Sequence, residues 1–88
     1  MTSLEGTSRD VERAADAGAP EALFELGLMF ASGREVERDF VTAHKWFNLA
    51  ALRGNEAAKR YRLELSREMS KAEIAHAQRL AREWIATH

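Results

Sequence analysis

The chain has 88 residues, a formal net charge of −1 and no cysteine. Its length favours one domain with a single modest core, the near-zero charge gives no reason to expect nucleic acid as a partner, and the lack of cysteine excludes disulfides and thiolate metal sites. No apolar run resembles a signal peptide or is long enough to span a bilayer, so we expect a cytoplasmic protein with no membrane partner.

Five helices are predicted at residues 8–17, 20–32, 40–53, 55–68 and 70–87, after a flexible N-terminus at residues 1–7. Pro20 suits a first helical turn, Asp39 and Asn55 are N-cap candidates, and Ser70 with Glu73 fits a capping box. No segment alternates with a period of two, so no strands are predicted. The short connections favour antiparallel packing of consecutive helices.

The second helix is apolar on nearly all sides, which predicts that it lies between the first and third helices and touches the fourth. Gly27 in its middle costs about 1 kcal/mol of helix stability against Ala, and we expect a close helix approach there, under Trp46. The predicted core stripe of the third helix is Phe40, Ala43, Trp46, Phe47, Leu49 and Ala50. The fifth helix is expected to face inward through Ile74, Ala77, Ala81 and Trp84, and outward through His76, Arg79 and Glu83.

Charge is unevenly distributed along the chain. Residues 1–44 contain 4 basic and 9 acidic side chains, a net of −5, whereas residues 45–88 contain 9 basic and 5 acidic, a net of +4. Two interpretations stay open. The solvated helix faces differ in sign by chance, or chains pair head to tail through opposite charge.

An internal repeat is visible at an offset of 36 residues (50 − 14). It pairs Ala14, Ala15, Gly18 and Ala22 with Ala50, Ala51, Gly54 and Ala58. Each match places a small residue where one helix ends and the next packs close, and the period is typical of stacked helix pairs.

Residues 22–54 resemble a Sel1-like repeat, a relative of the tetratricopeptide repeat. The resemblance depends on Ala22, Leu26, Gly27, Phe30, Gly33, Val36, Asp39, Ala43, Trp46, Phe47, Ala50, Ala51 and Gly54. Glu35 departs from the pattern, because the family usually has a second loop glycine there. The resemblance implies an all-α fold, a short right-handed α-α superhelix of about five helices.

The same resemblance divides the single domain of residues 1–88 into units. Residues 8–17 correspond to a preceding half-repeat, 18–54 to a full repeat and 55–68 to a following half-repeat. Residues 70–87 are similar to the terminal capping helix of bacterial Sel1-like proteins, which implies a bacterial origin.

The family resemblance implies a non-enzymatic interaction module, an adaptor that binds a protein or peptide in a concave groove. The predicted groove residues are Glu21, Glu25, Leu28, Ser32, Ala57, Tyr61, Glu64 and Glu68. The groove would accept a basic or Arg-bearing segment, with Tyr61 and Leu28 as apolar anchors. The alternative is an ordinary solvated face, neutralised by Arg60 or Arg62.

Other functions have weaker support. A self-associating structural protein, such as a homodimer, is the main alternative, and a small hydrolase ranks last. His44 and His76 are expected on outer helix faces, and neither they nor His88 has metal-ligand spacing, so we predict no metal, cofactor or catalytic residue. Trp46 and Trp84 are expected in the core.

Overall fold

The computed structural model describes the backbone of residues 3–88 and the side chains from residue 9 onward. It contains the helices α1 (Ser3–Asp16), α2 (Pro20–Ser32), α3 (Phe40–Leu52), α4 (Glu56–Ser66) and α5 (Lys71–Thr87). No strand occurs within these residues, which confirms the all-α prediction. α1 begins at Ser3 rather than near residue 8, and the first two residues of the predicted flexible segment lie outside the described range.

The helix boundaries follow the predicted capping chemistry. Asp39 accepts a hydrogen bond from Thr42 N at 3.1 Å, and Asn55 does the same for Ala58 N at 3.0 Å. At the start of α5, Glu73 N donates to Ser70 Oγ at 3.0 Å, while Ser70 N donates to the Glu73 carboxylate at 2.8 Å. These side chains satisfy amide groups that have no partner within the helix.

α2 and α3 form the most closely packed helix pair, and Gly27 permits their approach. A Cβ at Gly27 would lie 2.4 Å from Cδ1 of Phe47, a ring that is only 1% exposed. The predicted close approach is therefore confirmed, but the prediction that Trp46 covers the glycine is wrong. Phe47 points towards α2, whereas Trp46 lies on the side of α3 that meets α5.

α5 packs against α3 rather than against its chain neighbour α4. Ala77 and Ala81 are buried, and the Trp84 ring meets the Trp46 ring edge-on at 6.4 Å between centroids. The predicted outward face of α5 is confirmed, and so is the inward face at Ala77, Ala81 and Trp84, whereas Ile74 is only half-buried. The expectation that all consecutive helices pack as antiparallel neighbours is wrong for α4 and α5, because the apolar side chains of α5 pack against α3.

The loop between α2 and α3 contains a residue in an unusual backbone conformation. Glu35 has φ of 68°, in the left-handed region that disfavours side chains with a Cβ. This is the position at which the Sel1 pattern usually has glycine. Glu35 therefore adopts a left-handed backbone conformation, which is strained for a residue other than glycine.

Candidate binding cleft

An open cleft of about 420 Å³ lies where α2, α3 and α4 meet. Its lining residues are Ala31, Phe47, Tyr61, Glu64, Leu65, Arg67 and Glu68. Phe47 and Leu65 are buried and form an apolar floor, while the charged residues are exposed at the rim. No residue of α5 lines the cleft, so the described part of the chain leaves it open to another molecule.

Tyr61 forms the aromatic wall of the cleft. Its ring meets the Phe24 ring edge-on at 5.1 Å and lies 5.7 Å from the Phe47 ring. Such aromatic pairs hold a ring in one orientation. Tyr61 nevertheless remains 43% exposed. The ring is therefore fixed by α2 and α3 and still presents surface to the cleft.

The structure places the predicted groove residues in different environments. Tyr61, Glu64 and Glu68 come together in the cleft, as the repeat offset predicts. Leu28 is half-buried and packs against the apolar cluster beneath the cleft, so it supports the floor. Glu25 pairs with Arg34 in the following loop, which neutralises its charge.

The remaining groove residues lie outside the cleft lining. Glu21 is exposed in the first turn of α2, and Ala57 is half-buried near the start of α4. Ser32 donates a hydrogen bond to the Leu28 carbonyl at 2.8 Å and so turns back onto its own helix. The cleft is consequently smaller and less acidic than the eight predicted residues suggest.

Several cleft residues were missed by the sequence reasoning. Arg67 lies between Glu64 and Glu68 in sequence and adds a positive charge to the rim. Arg67 and Ala31 are related by the 36-residue offset, and both line the cleft. The repeat could therefore have been used to predict both residues. Phe47 and Leu65 could not be recognised as cleft residues from the sequence, because an apolar side chain on the cleft floor has the same sequence pattern as one in the core.

A partly buried polar network joins α3 to α4. The Ser66 hydroxyl donates to the Arg62 carbonyl at 2.8 Å, so His44 Nε2 must donate to Ser66 Oγ at 2.9 Å. Arg62 also donates a hydrogen bond to the Asn48 amide oxygen. The prediction that His44 lies on an outer face is wrong, because its side chain is 2% exposed. His76 is exposed, as predicted.

The environment of His44 opposes its protonation. Burial, and secondarily the positive charge of Arg62, lower the pKa of His44 below its ordinary value. Nδ1 has no hydrogen-bond partner among the described residues. His44 is therefore a neutral side chain that fixes α4, which carries the cleft residues, against α3.

The described residues contain neither a cluster of metal ligands nor a membrane-spanning helix. No three histidine, aspartate or glutamate side chains in this part of the chain come together as a metal site would require. None of the helices formed by residues 3–88 has the length and apolar character needed to cross a membrane.

Paired helices at a 36-residue offset, with a cleft beside their first helices, define an α-α helical repeat protein. Residues 20–55, which cover α2 and α3, match the family model of the Sel1 repeat. The chain contains a Sel1 repeat, and the resemblance inferred from its residues is confirmed. Sel1 repeats are generally protein–protein interaction modules, and typically non-enzymatic.

A curated relative extends the similarity beyond the central repeat. Over 75 residues, 85% of this chain, the sequence is 36% identical to the chitin synthase regulator SKT5 of Saccharomyces cerevisiae. The chain spans about 10% of the length of that relative. The similarity therefore concerns one segment of a much longer protein.

Proposed function

We propose that this chain is a non-enzymatic interaction module that binds a segment of another polypeptide in the cleft beside α4. The observation that carries the proposal is the cleft itself, which combines an apolar floor with charged side chains at its rim. Binding surfaces commonly place an apolar anchor at the centre and polar groups around it. The general role of Sel1 repeats supports the same function.

The chemistry of the cleft favours a basic segment. Glu64 lies in the last turn of α4 and Glu68 in the turn that follows the helix, and both residues line the cleft. Arg67 offsets one of these charges, which leaves the charged lining residues with a net charge of −1. A ligand with an apolar side chain on the floor, against Tyr61, and an Arg or Lys beside Glu64 or Glu68 would match this arrangement.

The similarity to SKT5 supports a binding role rather than a catalytic one, because SKT5 is a regulator of chitin synthase. The cytoplasmic location and the bacterial origin predicted from the sequence stay predictions. Self-association through the opposite charges of the two halves of the sequence is the main alternative function.

Peptide binding tests the proposal directly. Fluorescence anisotropy would be measured with labelled peptides containing Leu or Tyr flanked by Arg, and with matched peptides in which Glu replaces Arg. We expect the basic set alone to bind. The double variant Glu64→Lys/Glu68→Lys should weaken binding about tenfold, equivalent to about 1.4 kcal/mol, because it reverses the charge at the rim.

A control variant with the same change in total charge distinguishes an effect of the cleft charges from an effect of the net charge of the protein. Glu12 and Glu37 are exposed and lie outside the cleft. Glu12→Lys/Glu37→Lys should leave the affinity within about twofold of the parent chain at physiological salt, where distant charges are screened. Equal weakening in both double variants, or no weakening in the cleft variant, would contradict the proposal.

A further inference from the structure

The side of α4 that faces away from the cleft is open to solvent. We define this outer face of α4 as the exposed residues Lys59, Arg60 and Leu63. Leu63 is 59% exposed, and it lies one turn after the cations Lys59 and Arg60. The face is open because α5 packs on α3 instead of closing over α4.

The internal repeat relates the outer face of α4 to equivalent residues of α2, which pack against another helix. At the 36-residue offset, the outer face of α4 corresponds to Leu23, Phe24 and Gly27 of α2. These residues of α2 pack against α3: the Phe24 ring lies 5.7 Å from the Phe47 ring, and Gly27 lies directly beneath Phe47. The outer face of α4 is therefore the position at which the next helix of the stack would pack.

The helix equivalent to α3 is α1, which corresponds to the second half of a repeat. At the same offset, Val11 is the counterpart of Phe47. Where α2 and α3 pair a glycine with a phenylalanine, α4 and α1 would pair Leu63 with Val11. In the α4–α1 pair the larger side chain, Leu63, is on the first helix, whereas in the α2–α3 pair the larger side chain, Phe47, is on the second. The combined side-chain volume of Leu63 and Val11 can therefore still fill the contact. Val11 is half-buried and retains accessible surface.

We propose that α1 of a second copy of the chain docks on the outer face of α4, so that the two helices form a composite hairpin equivalent to α2–α3. Charge supports this occupant. The outer face of α4 carries the cations Lys59 and Arg60, and α1 carries the exposed carboxylate of Asp10 next to Val11, so opposite charges would meet at the edge of the docked helix. The net charges of −5 and +4 on the two halves of the sequence favour the same head-to-tail arrangement.

The composite hairpin is weaker than the intramolecular one. Leu23 is completely buried, and its replacement by Lys59 removes apolar contact from the centre of the interface. The aliphatic stem of Lys59 can pack while its ammonium group stays at the edge beside Asp10. Each copy uses a different surface at each end, so the contact is heterologous, and further copies add to the first pair as concentration rises.

Sedimentation velocity over a concentration series tests the inference without any other partner. The average mass of the unmodified chain should rise with concentration, and an increase in NaCl from about 0.05 M to about 0.5 M should weaken the association several-fold. Leu63→Glu should abolish the rise in mass. Leu52→Glu is the matched control, because Leu52 is 63% exposed on α3 and lies outside the interface, and this variant should associate like the parent.

Complementation distinguishes this interface from any other dimer. Leu63→Glu blocks the α4 side, and Asp10→Lys blocks the α1 side by repulsion from Lys59. Each variant alone should be monomeric, whereas an equimolar mixture should form dimers that grow no further, because one intact side of each kind remains. The inference is overturned if the unmodified chain stays monomeric at all concentrations, or if either variant associates by itself. Circular dichroism melting of the variants checks that both exposed substitutions preserve the fold.

Discussion

At the scale of single residues, His44 makes the fold sensitive to pH. Its pKa in the folded chain is lowered by burial and by Arg62, whereas in the unfolded chain it returns to about 6.5. Above that pH both states are neutral at this side chain. As the pH falls below about 6.5, the unfolded chain binds a proton that the folded chain does not, so the free energy of unfolding decreases towards the lowered pKa.

Urea denaturation between about pH 7 and pH 5 measures this effect, because most carboxylates stay ionised in that range. The variant His44→Gln has no titrating ring, and we expect it to lose most of the pH dependence of stability that the parent shows. The variant His76→Gln changes an exposed histidine and should retain that dependence. Identical slopes for His44→Gln and the parent chain would show that His44 does not control acid stability.

At the scale of elements, the distance between α2 and α3 depends on Gly27. The Gly27→Ala substitution adds a methyl group that would overlap the buried Phe47 ring, and any shift of this ring disturbs its contacts with Phe24 and Tyr61. Ala favours a helix over Gly by about 1 kcal/mol. Overpacking of this kind typically costs about 1–3 kcal/mol, so we expect a net loss of stability in chemical denaturation.

A double-mutant cycle shows whether the overlap causes that loss. Phe47→Leu removes the aromatic edge that the new methyl group meets. Gly27→Ala should therefore destabilise the Phe47→Leu background much less than the parent chain. Ala75→Gly, at an exposed position of α5, calibrates the helix-propensity contribution by itself. A gain in stability for Gly27→Ala in the parent would mean that the two helices separate easily.

At the scale of the whole molecule, Trp84 connects the last helix to the rest of the fold. Its ring contacts Trp46, lies under the guanidinium of Arg53 at 5.7 Å and stacks on His88 at 3.9 Å. His88 in turn lies 2.7 Å from the Asp16 carboxylate at the end of α1. One side chain thus joins segments that are distant in sequence, and it covers the outer side of α3.

Replacement of Trp84 by Ala should lower the free energy of unfolding by about 3–5 kcal/mol, the usual cost of removing a large buried aromatic ring. In a domain of this size such a loss brings the chain close to unfolding at 25 °C. The neighbouring Ile85 is 48% exposed, and Ile85→Ala should change stability by less than about 0.5 kcal/mol. Comparable melting temperatures for the two variants would show that α5 does not stabilise the helical stack.

The helix boundaries could be predicted because they depend on local chemistry. Proline, glycine and short polar side chains act within a few residues of their own backbone, so Asp39, Asn55 and Ser70 cap helices as expected. The position of His44 could not be predicted in this way. Whether His44 is buried or exposed depends on Ser66, 22 positions away in the sequence, which forms a hydrogen bond with a ring nitrogen of His44.

The candidate site was predictable in part for the same reason. The repeat offset predicts that Tyr61 and Glu64 share a face of α4, and both line the cleft, as does Glu68 in the turn that follows the helix. It could not show that Glu25 pairs with Arg34, since that contact depends on the path of the loop after α2.

The sequence by itself determined the helical class, the capped boundaries and the Sel1 repeat, since each depends on spacing along one chain. Only the tertiary structure decided that α5 packs on α3, that Phe47 rather than Trp46 covers Gly27, and that one side of α4 stays open. These outcomes depend on how apolar surfaces from different helices compete for contact. That competition is settled by shape and volume in three dimensions, which a pattern along one chain does not contain.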